Sequence, residues 1–507
     1  MKTVLVPIAV FCLLAATATI PTTSSTKPDL LSSYVSFSIE LEGFVNYAGE
    51  NHQSSKGLLR GIDVKLCTVT GNSSSGVNQY SINLLQNLGS AMSSMPVIRV
   101  GGNTADEVIY QSSQRDALNF SCPVAKICMG PSFFDSYQAF PNTLFSHGFN
   151  MAWNNDTGYT SLKQTVAKAC KALENKLSTW EFGNEPDLYL GRLRPSDWSP
   201  SAYVANWKDG TEMIFKQLQE TCPSLANAAN FTFMAPSIAG NAAKLSPTGV
   251  FSAGLDANKT ISEVSFHNYM GIAGSSGTSL QHTLMNHEKN VAKLDEHGQL
   301  ARQIAAMPGM SSIPYILGET NSLAGGGASG ISNTFGAALW GLDFNVGASY
   351  AAWNPSEGAT FAPYYGHLAA AKFMGKSQLR AVLNISLSED NSLNSAYAGY
   401  NTLTGGLDKI AIINFRFYNS STKAARDNST YTFKVMPSSN WAIERLEAAG
   451  AESVTGVTFG GYAYEYSTMG QPKLVARNGE VAKVGLDGIL HMTVLDSTAA
   501  ILSLQSS

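Results

Sequence analysis

Charge is scarce in this chain. Asp, Glu, Lys and Arg make up 14% of its 507 residues, the formal net charge is −4, and no basic block or acidic tail breaks the mixture of signs. That excludes the usual electrostatic footprint of a partner that is nucleic acid or an anionic membrane. No G-x-G-x-x-G turn and no P-loop follows any strand-like run, so the common dinucleotide and nucleotide functions are excluded as well. No Cys/His or Asp cluster has ligand spacing, so neither a metal nor another cofactor is expected.

Long apolar runs are missing apart from one. Lys2 precedes "VLVPIAVFCLLAA", and "ATA" at 16–18 supplies the small residues of a cleavage site. The run is too short to span a bilayer comfortably, so residues 1–18 read as a secretory signal peptide and the protein as secreted, with no membrane association after cleavage. Residues 19–35 read as a polar N-terminal segment able to pair with a C-terminal β-sandwich. Cysteine is also sparse. Once Cys12 leaves with the leader, Cys67, Cys122, Cys128, Cys170 and Cys222 remain, all in the first half. Cys122–Cys128 would close a short loop and Cys170–Cys222 would join two helices, but spacing leaves the connectivity open and one thiol over. Eight N-x-[S/T] sequons, at Asn72, Asn119, Asn155, Asn230, Asn258, Asn384, Asn419 and Asn428, point to N-glycosylation.

What the chain does have is apolar residues, 44% of the total, in short alternating runs. Eight read as strands: 36–41, 96–100, 149–153, 178–183, 231–236, 263–269, 314–319 and 348–353. Helical patterns lie between several of them, at 162–177, 203–220, 280–306 and 331–345. This order predicts an α/β fold, a (β/α)8 TIM barrel over 36–375, with a doubly wound open sheet as the competing topology. Beyond residue 376 helical periodicity fades, and strand-like runs such as "KIAIINFRFYN" and "LHMTVLD" are separated by turn signals, which predicts a β-sandwich over 376–507.

Two strands end in a glutamate within an unusual local sequence. "TWEFGNEPDLYLG", 179–191, crowds Glu181, Glu185 and Asp187 beside a Gly, an Asn and a Pro; "YILGETNS" ends at Glu319. In such a barrel the active site lies at the C-terminal ends of the strands. Two facing carboxyls, one protonated and one ionised, suit glycosidic bond cleavage, and retaining enzymes hold them about 5–5.5 Å apart. Of the crowded acids, Glu185 is the one that needs to react: Glu181 alternates with Trp180 and Phe182 and points into the barrel or toward a basic partner, while Asp187 reads as a helix N-terminal residue. Asn184 is placed to hydrogen-bond a sugar hydroxyl beside the reacting carbon.

"WEFGNEP", "GETNS" followed by "GGG", and "NTFGAALWGLDF" resemble glycoside hydrolase family 79, the β-glucuronidase and heparanase family, over nearly the whole mature chain. The resemblance is closest to secreted fungal β-glucuronidases. It implies a retaining barrel with Glu185 as acid/base after the fourth strand and Glu319 as nucleophile after the seventh. It further implies that Glu40 of "SIE" and Asn103 of "IRVGGNTAD" contact the sugar, with Arg99 and Asp106 as supports behind them. His267 and Tyr269 of "FHNY" are expected to line the pocket, and Tyr364 or Tyr365 of "APYYG" to face the sugar. One position departs from the pattern. Where family members carry a uronate-binding Tyr five residues after the nucleophile, this chain has Ala324, leaving the backbone of Gly325, Gly326 and Gly327 as an anion nest. The expected substrate is a glycan with terminal β-linked glucuronic acid or 4-O-methyl-glucuronic acid, cleaved from its end. Heparan sulfate is not expected, because basic clusters are absent. A neutral β-glycoside as substrate, and a non-catalytic carbohydrate-binding protein on the same scaffold, are the alternatives.

Overall fold

The computed structural model describes residues 18–21, 23, 34–49, 76–92, 94–240, 245–344, 352–376, 380–387, 392–422 and 424–505. Most of the expected leader, Cys67, the Asn72 sequon and most of the expected eighth strand (348–351) lie outside them.

Among the described residues seven parallel strands form one sheet in strict chain order: β1 (Phe37–Glu40), β2 (Ile98–Gly101), β3 (Phe145–Phe149), β4 (Leu177–Phe182), β5 (Phe233–Ile238), β6 (Ile261–Ile272) and β7 (Tyr315–Ala324). The two edge strands, β1 and β7, come back into contact, so the sheet is a nearly closed barrel rather than an open doubly wound sheet. Helices α1 (Leu41–Ala48), α2 (Gln79–Met92), α3 (Asp156–Leu173), α4 (Pro200–Thr221), α5 (Pro247–Ser252), α6 (His287–Ala305), α7 (Phe335–Phe344) and α8 (Ala362–Met374) connect and cover the strands. The helical expectations differ from these by a few residues at their ends, and the first residues of the 280–306 stretch form a separate π-helical turn, Leu280–Leu284.

The third strand corrects the sequence reading. It is "FSHGF", 145–149, whereas 149–153 was expected, so the apolar run begins where the strand stops. His147 and Gly148 disguise it, since neither favours a strand by propensity. The imidazole is nevertheless fully buried, with Nδ1 2.6 Å from the Tyr137 hydroxyl, and burial pushes it down to about 3, so it is neutral. Helix ends follow local chemistry: the side chains of Asn155, Ser199 and Asn286 accept from backbone N–H groups three residues on and cap α3, α4 and α6.

The C-terminal region is built on one large antiparallel sheet. Its main strands run in the order β8 (Arg380–Asn384), β9 (Asn394–Asn401), β10 (Leu407–Asn414), β14 (Thr498–Leu504) and β12 (Asn440–Glu447). A smaller sheet contains β11 (Asn428–Lys434) and β13 (Ile489–Leu495), and Ala18–Thr19 pairs in parallel with Phe433–Lys434 at its edge. Alternation along the strands divides the large sheet's two faces. Ile410, Ile412, Ala500 and Leu502 pack with Phe433, Leu490 and Met492 of the smaller sheet. Ala411, Ile413, Ala499 and Ile501 join the barrel core, where α8 lies against β10, β12 and β14. Helix α8 is therefore buried almost all round, with the barrel on one side and the β-sheet domain on the other.

Among the described residues two disulfides are formed, Cys122–Cys128 and Cys170–Cys222, with sequence separations of 6 and 52. The second ties α3 to the end of α4. Because a cross-link acts in part by restricting the unfolded chain, its effect grows with loop length. Replacing Cys170 and Cys222 together by alanine is expected to lower stability by about 4 kcal/mol, against about 2 kcal/mol for the Cys122/Cys128 pair, as read by denaturant unfolding of each double variant.

Candidate active site

The C-terminal ends of the strands bring four polar side chains onto one buried cation. Arg99 on β2 is 4% exposed, and all three guanidinium nitrogens are engaged. Nε donates to Glu181 Oε2 at 2.8 Å, and Nη2 donates to Glu181 Oε1 at 3.0 Å and to Asn184 Oδ1 at 2.7 Å. Nη1 donates to Ser38 Oγ at 2.7 Å and to Glu319 Oε2 at 2.8 Å. Glu181 thus faces the basic partner that alternation along β4 implied. Ser237, which lies at the end of β5, donates to Glu181 Oε1 at 2.5 Å.

Glu319 on β7 lies beside His267 on β6 in the strand register. Its Oε1 accepts from the Tyr269 hydroxyl and its Oε2 from Arg99. Burial works against its charge, but His267, Arg99 and these hydrogen bonds outweigh it and hold the carboxyl well below the usual carboxylate range. Glu319 therefore stays ionised. Glu185 sits three residues past β4 and starts the 3-10 turn Pro186–Tyr189. Its backbone is left-handed, with φ +49°, a conformation that costs a non-glycine residue about 1 kcal/mol or more. It is held there from both sides: its N–H donates to Ser237 O at 2.9 Å, and its C=O accepts from Leu188 N at 2.9 Å.

His267 joins the two acids. Its Nδ1 lies 2.9 Å from Glu185 Oε1 and 3.9 Å from Glu319 Oε2. Burial disfavours its charged form, but the Glu319 charge and the hydrogen bond with Glu185 prevail, so the imidazole sits above its ordinary value. One donor atom each from Glu185, His267 and Glu319 lie within 4.8 Å of one another. Among the described residues this is the one group of three or more acidic, His or Cys side chains whose donors would also fit around a cation. Here Arg99 and Tyr269 already occupy the oxygens of Glu319, so its charge is met by hydrogen-bond donors.

The remaining expected residues divide. Glu40 ends β1 at the mouth, where its carboxylate accepts from Asn103 N at 3.2 Å, Thr104 N at 3.1 Å and Thr104 Oγ1 at 2.7 Å. Asn184 is 4% exposed; while Oδ1 takes the Arg99 bond, Nδ2 donates to Asn103 Oδ1 at 3.0 Å. Asp106 supports the loop as expected, accepting from Asn184 N, Met151 N and the Tyr189 hydroxyl. Asp187 stands in the first turn after Glu185 and ties it to the next loop by accepting from Ala239 N and Gly240 N. Gly325, Gly326 and Gly327 follow β7 with φ of +82°, +86° and +73°, a run that only glycine adopts readily.

Tyr364 does not reach the site. It is fully buried, its hydroxyl donates to Leu84 O at 3.0 Å, and its ring packs between α8 and α2. Tyr365 also packs, accepting from Tyr464 N at 3.0 Å. The expectation that one of them faces the sugar fails because α8 is buried between two domains. Sequence reading in turn missed Ser38, Thr104 and Ser237. Common residues in strand ends carry no local signal of such roles, and only the register shows their partners.

The chain is similar to several known proteins. Residues 396–501 match the model of the glycosyl hydrolase family 79 C-terminal beta domain. The chain is 36% identical to a beta-glucuronidase of Aspergillus niger, over 95% of this chain and 93% of that protein. It is 35% identical to a beta-glucuronidase of Neurospora crassa, over 87% of this chain and 86% of that protein. Its fold is similar to that of a 4-O-alpha-L-rhamnosyl-beta-D-glucuronidase of Fusarium oxysporum, with a TM-score of 0.74 and 23% identity over 96% of this chain and 100% of that one.

The half-buried Glu40 tests the electrostatics. Burial first, and then the Glu319 charge, push its carboxyl up to about 7. A carboxyl raised in the folded state stabilises the fold below its unfolded value, about 4.3, and loses that contribution as pH rises toward 7. Glu40→Gln, which cannot ionise, is expected to gain melting temperature relative to the unmodified chain at pH 8 and to show little gain at pH 4, measured by thermal denaturation at both.

Proposed function

The chain belongs to glycoside hydrolase family 79, and from that footing we propose that it is a retaining, exo-acting β-glucuronidase that releases terminal β-linked glucuronic acid, or its 4-O-methyl ether, from glycans. The observation that carries the reading is the pair of acids at the barrel mouth, with carboxylate oxygens of Glu185 and Glu319 within 4.8 Å of each other. That spacing favours the short separation of retaining enzymes over the wider one that leaves room for a water.

Glu319, ionised under Arg99, His267 and Tyr269, attacks the anomeric carbon. Glu185 gives its proton to the departing glycosidic oxygen. A water then enters on the side the leaving group vacated, Glu185 takes its proton, and the oxygen displaces Glu319 with net retention. Asn184, fixed by Arg99 and Asn103, presents its remaining amide N–H beside the reacting carbon. Glu40 and Asn103 border the sugar. With Tyr364 buried, Ala324 in place of the family tyrosine and the Tyr269 hydroxyl committed to Glu319, the uronate carboxylate falls to the backbone of Gly325 and Gly326. Ala324 also supports a second reading, a retaining β-glycosidase for a neutral galactoside, glucoside or xyloside. The intact acid pair argues against a non-catalytic carbohydrate-binding role. We also read the protein as secreted and N-glycosylated, supported by the leader-like N-terminus, the sequons and two disulfides.

A panel of nitrophenyl β-glycosides separates the sugars: turnover of the glucuronide with the β-anomer released first is expected, and neutral sugars alone would overturn the uronate reading. Glu319→Ala and Glu185→Ala are each expected to lose about 10²–10⁴-fold in turnover or more. With an activated phenol as leaving group, Glu185→Ala should lose less than Glu319→Ala in the first step. Near-normal rates in either variant would remove that residue from its role. Expression in a eukaryotic host checks the export reading: activity in the medium and a mass shift on endoglycosidase treatment are expected.

A further inference from the structure

We propose that Glu181, which touches no reacting atom in the mechanism above, is a positioning residue that sets the charge Arg99 presents to Glu319. The proposal rests on the reading of Glu319 as nucleophile. Arg99 is a single buried cation facing two carboxylates. Glu181 takes two of its donors, through Nε and Nη2, and so fixes the plane of the guanidinium. That plane in turn aims Nη1 at Glu319 Oε2 and the other Nη2 hydrogen at Asn184 Oδ1. One planar group thereby orients the nucleophile and the residue beside the acid, and Glu181 holds the plane.

The backbone around Glu181 is shaped to admit a carboxylate. A Cβ at Gly101 on β2 would stand 2.9 Å from Glu181 Oε2, and one at Gly148 on β3 would stand 3.2 Å from it. Any other residue at these places would crowd the ion pair. Ser237 completes the enclosure and links it to the acid: its Oγ donates to Glu181 and approaches Ser265 Oγ at 3.1 Å, and its carbonyl accepts the N–H of Glu185. The charged and titratable groups around Glu181 are Arg99 on β2 and, beyond it, Glu319 on β7, His267 on β6, Glu185 and Asp187 after β4, Glu40 at the end of β1 and Tyr203 on α4.

The electrostatic consequence has a definite sign. Glu181 offsets much of the Arg99 charge, leaving Glu319 ionised yet not fully neutralised. Without that offset the whole guanidinium charge falls on Glu319, which becomes a weaker nucleophile. Removing one buried negative charge also favours the ionised form of every carboxyl nearby, so the acid must lose its proton at lower pH.

Glu181→Gln keeps the shape and removes the charge. The expected result on an aryl β-glucuronide is a fall in kcat of about tenfold or more with little change in KM, and a basic limb of kcat/KM displaced to lower pH by about half a unit or more. Glu181→Asp, which keeps the charge with a shorter reach, should recover part of kcat and return the basic limb to its original pH. A folded Glu181→Gln with unchanged kcat and pH profile would overturn the proposal. So would a loss of kcat with the basic limb unmoved, because a purely structural role predicts that. Should Glu181→Gln fail to fold, Glu181→Asp carries the test: a fall in kcat at unchanged KM is expected, and unaltered kcat, or a KM that rises as kcat falls, overturns it. The unmodified enzyme is the control. Its inactivity toward every β-glycoside would count against the reading of the whole site, whereas an active enzyme indifferent to Glu181 counts against this role alone.

Discussion

The guanidinium of Arg99 holds the site together. A cation taken out of water at the top of a barrel is costly unless every donor is met and its charge is balanced. Here the balance comes from Glu181 and Glu319 on strands four and seven, with Ser38 and Asn184 taking the remaining bonds. The barrel ends are thus fixed relative to one another by a few short, charge-assisted bonds around one planar group. Such an arrangement is poor as a source of stability, since removing one partner leaves a buried charge uncompensated. Its value is orientation: the Glu319 carboxylate is aimed by a group that cannot itself lose its proton.

Around that centre the acids are set apart by environment. Glu319 is surrounded by donors and held ionised, and burial favours the protonated form of Glu40 at the end of the first strand. Asp106, buried behind the loop and pushed up to about 6, spends its oxygens on the backbone that carries Asn184. Glu185 receives a different kind of support, a strained left-handed backbone pinned by Ser237 and a side chain facing His267. The strain is local and is held by the sheet behind it, as expected where a side chain must stand at one place above a strand end.

The β-sheet domain contributes through packing. Its large sheet uses both faces, one for its own core and one for the barrel, and α8 is the wedge between them. That wedge explains why an aromatic pair that resembles sugar-binding residues serves the interior instead. It also sets the family-matched C-terminal segment, 396–501, against α8.

Much of the architecture was legible because it rests on local patterns. Apolar alternation located six of the seven observed strands closely, helical spacing located the long helices, and the glycine-flanked glutamates at 185 and 319 announced themselves by standing where apolar strands end. The third strand was misplaced because His147 and Gly148 look unlike a strand until Tyr137 is folded against the imidazole. The roles of Glu181, Ser237 and Ser38 were illegible in detail because they depend on which strands are neighbours. Sequence by itself determined which residue types exist at each strand end, since periodicity and turn chemistry act over a few residues. The tertiary structure alone decided that Arg99 meets Glu319 across 220 positions of chain, and that Tyr364 faces a helix instead of a sugar, because those outcomes belong to sheet closure and domain packing.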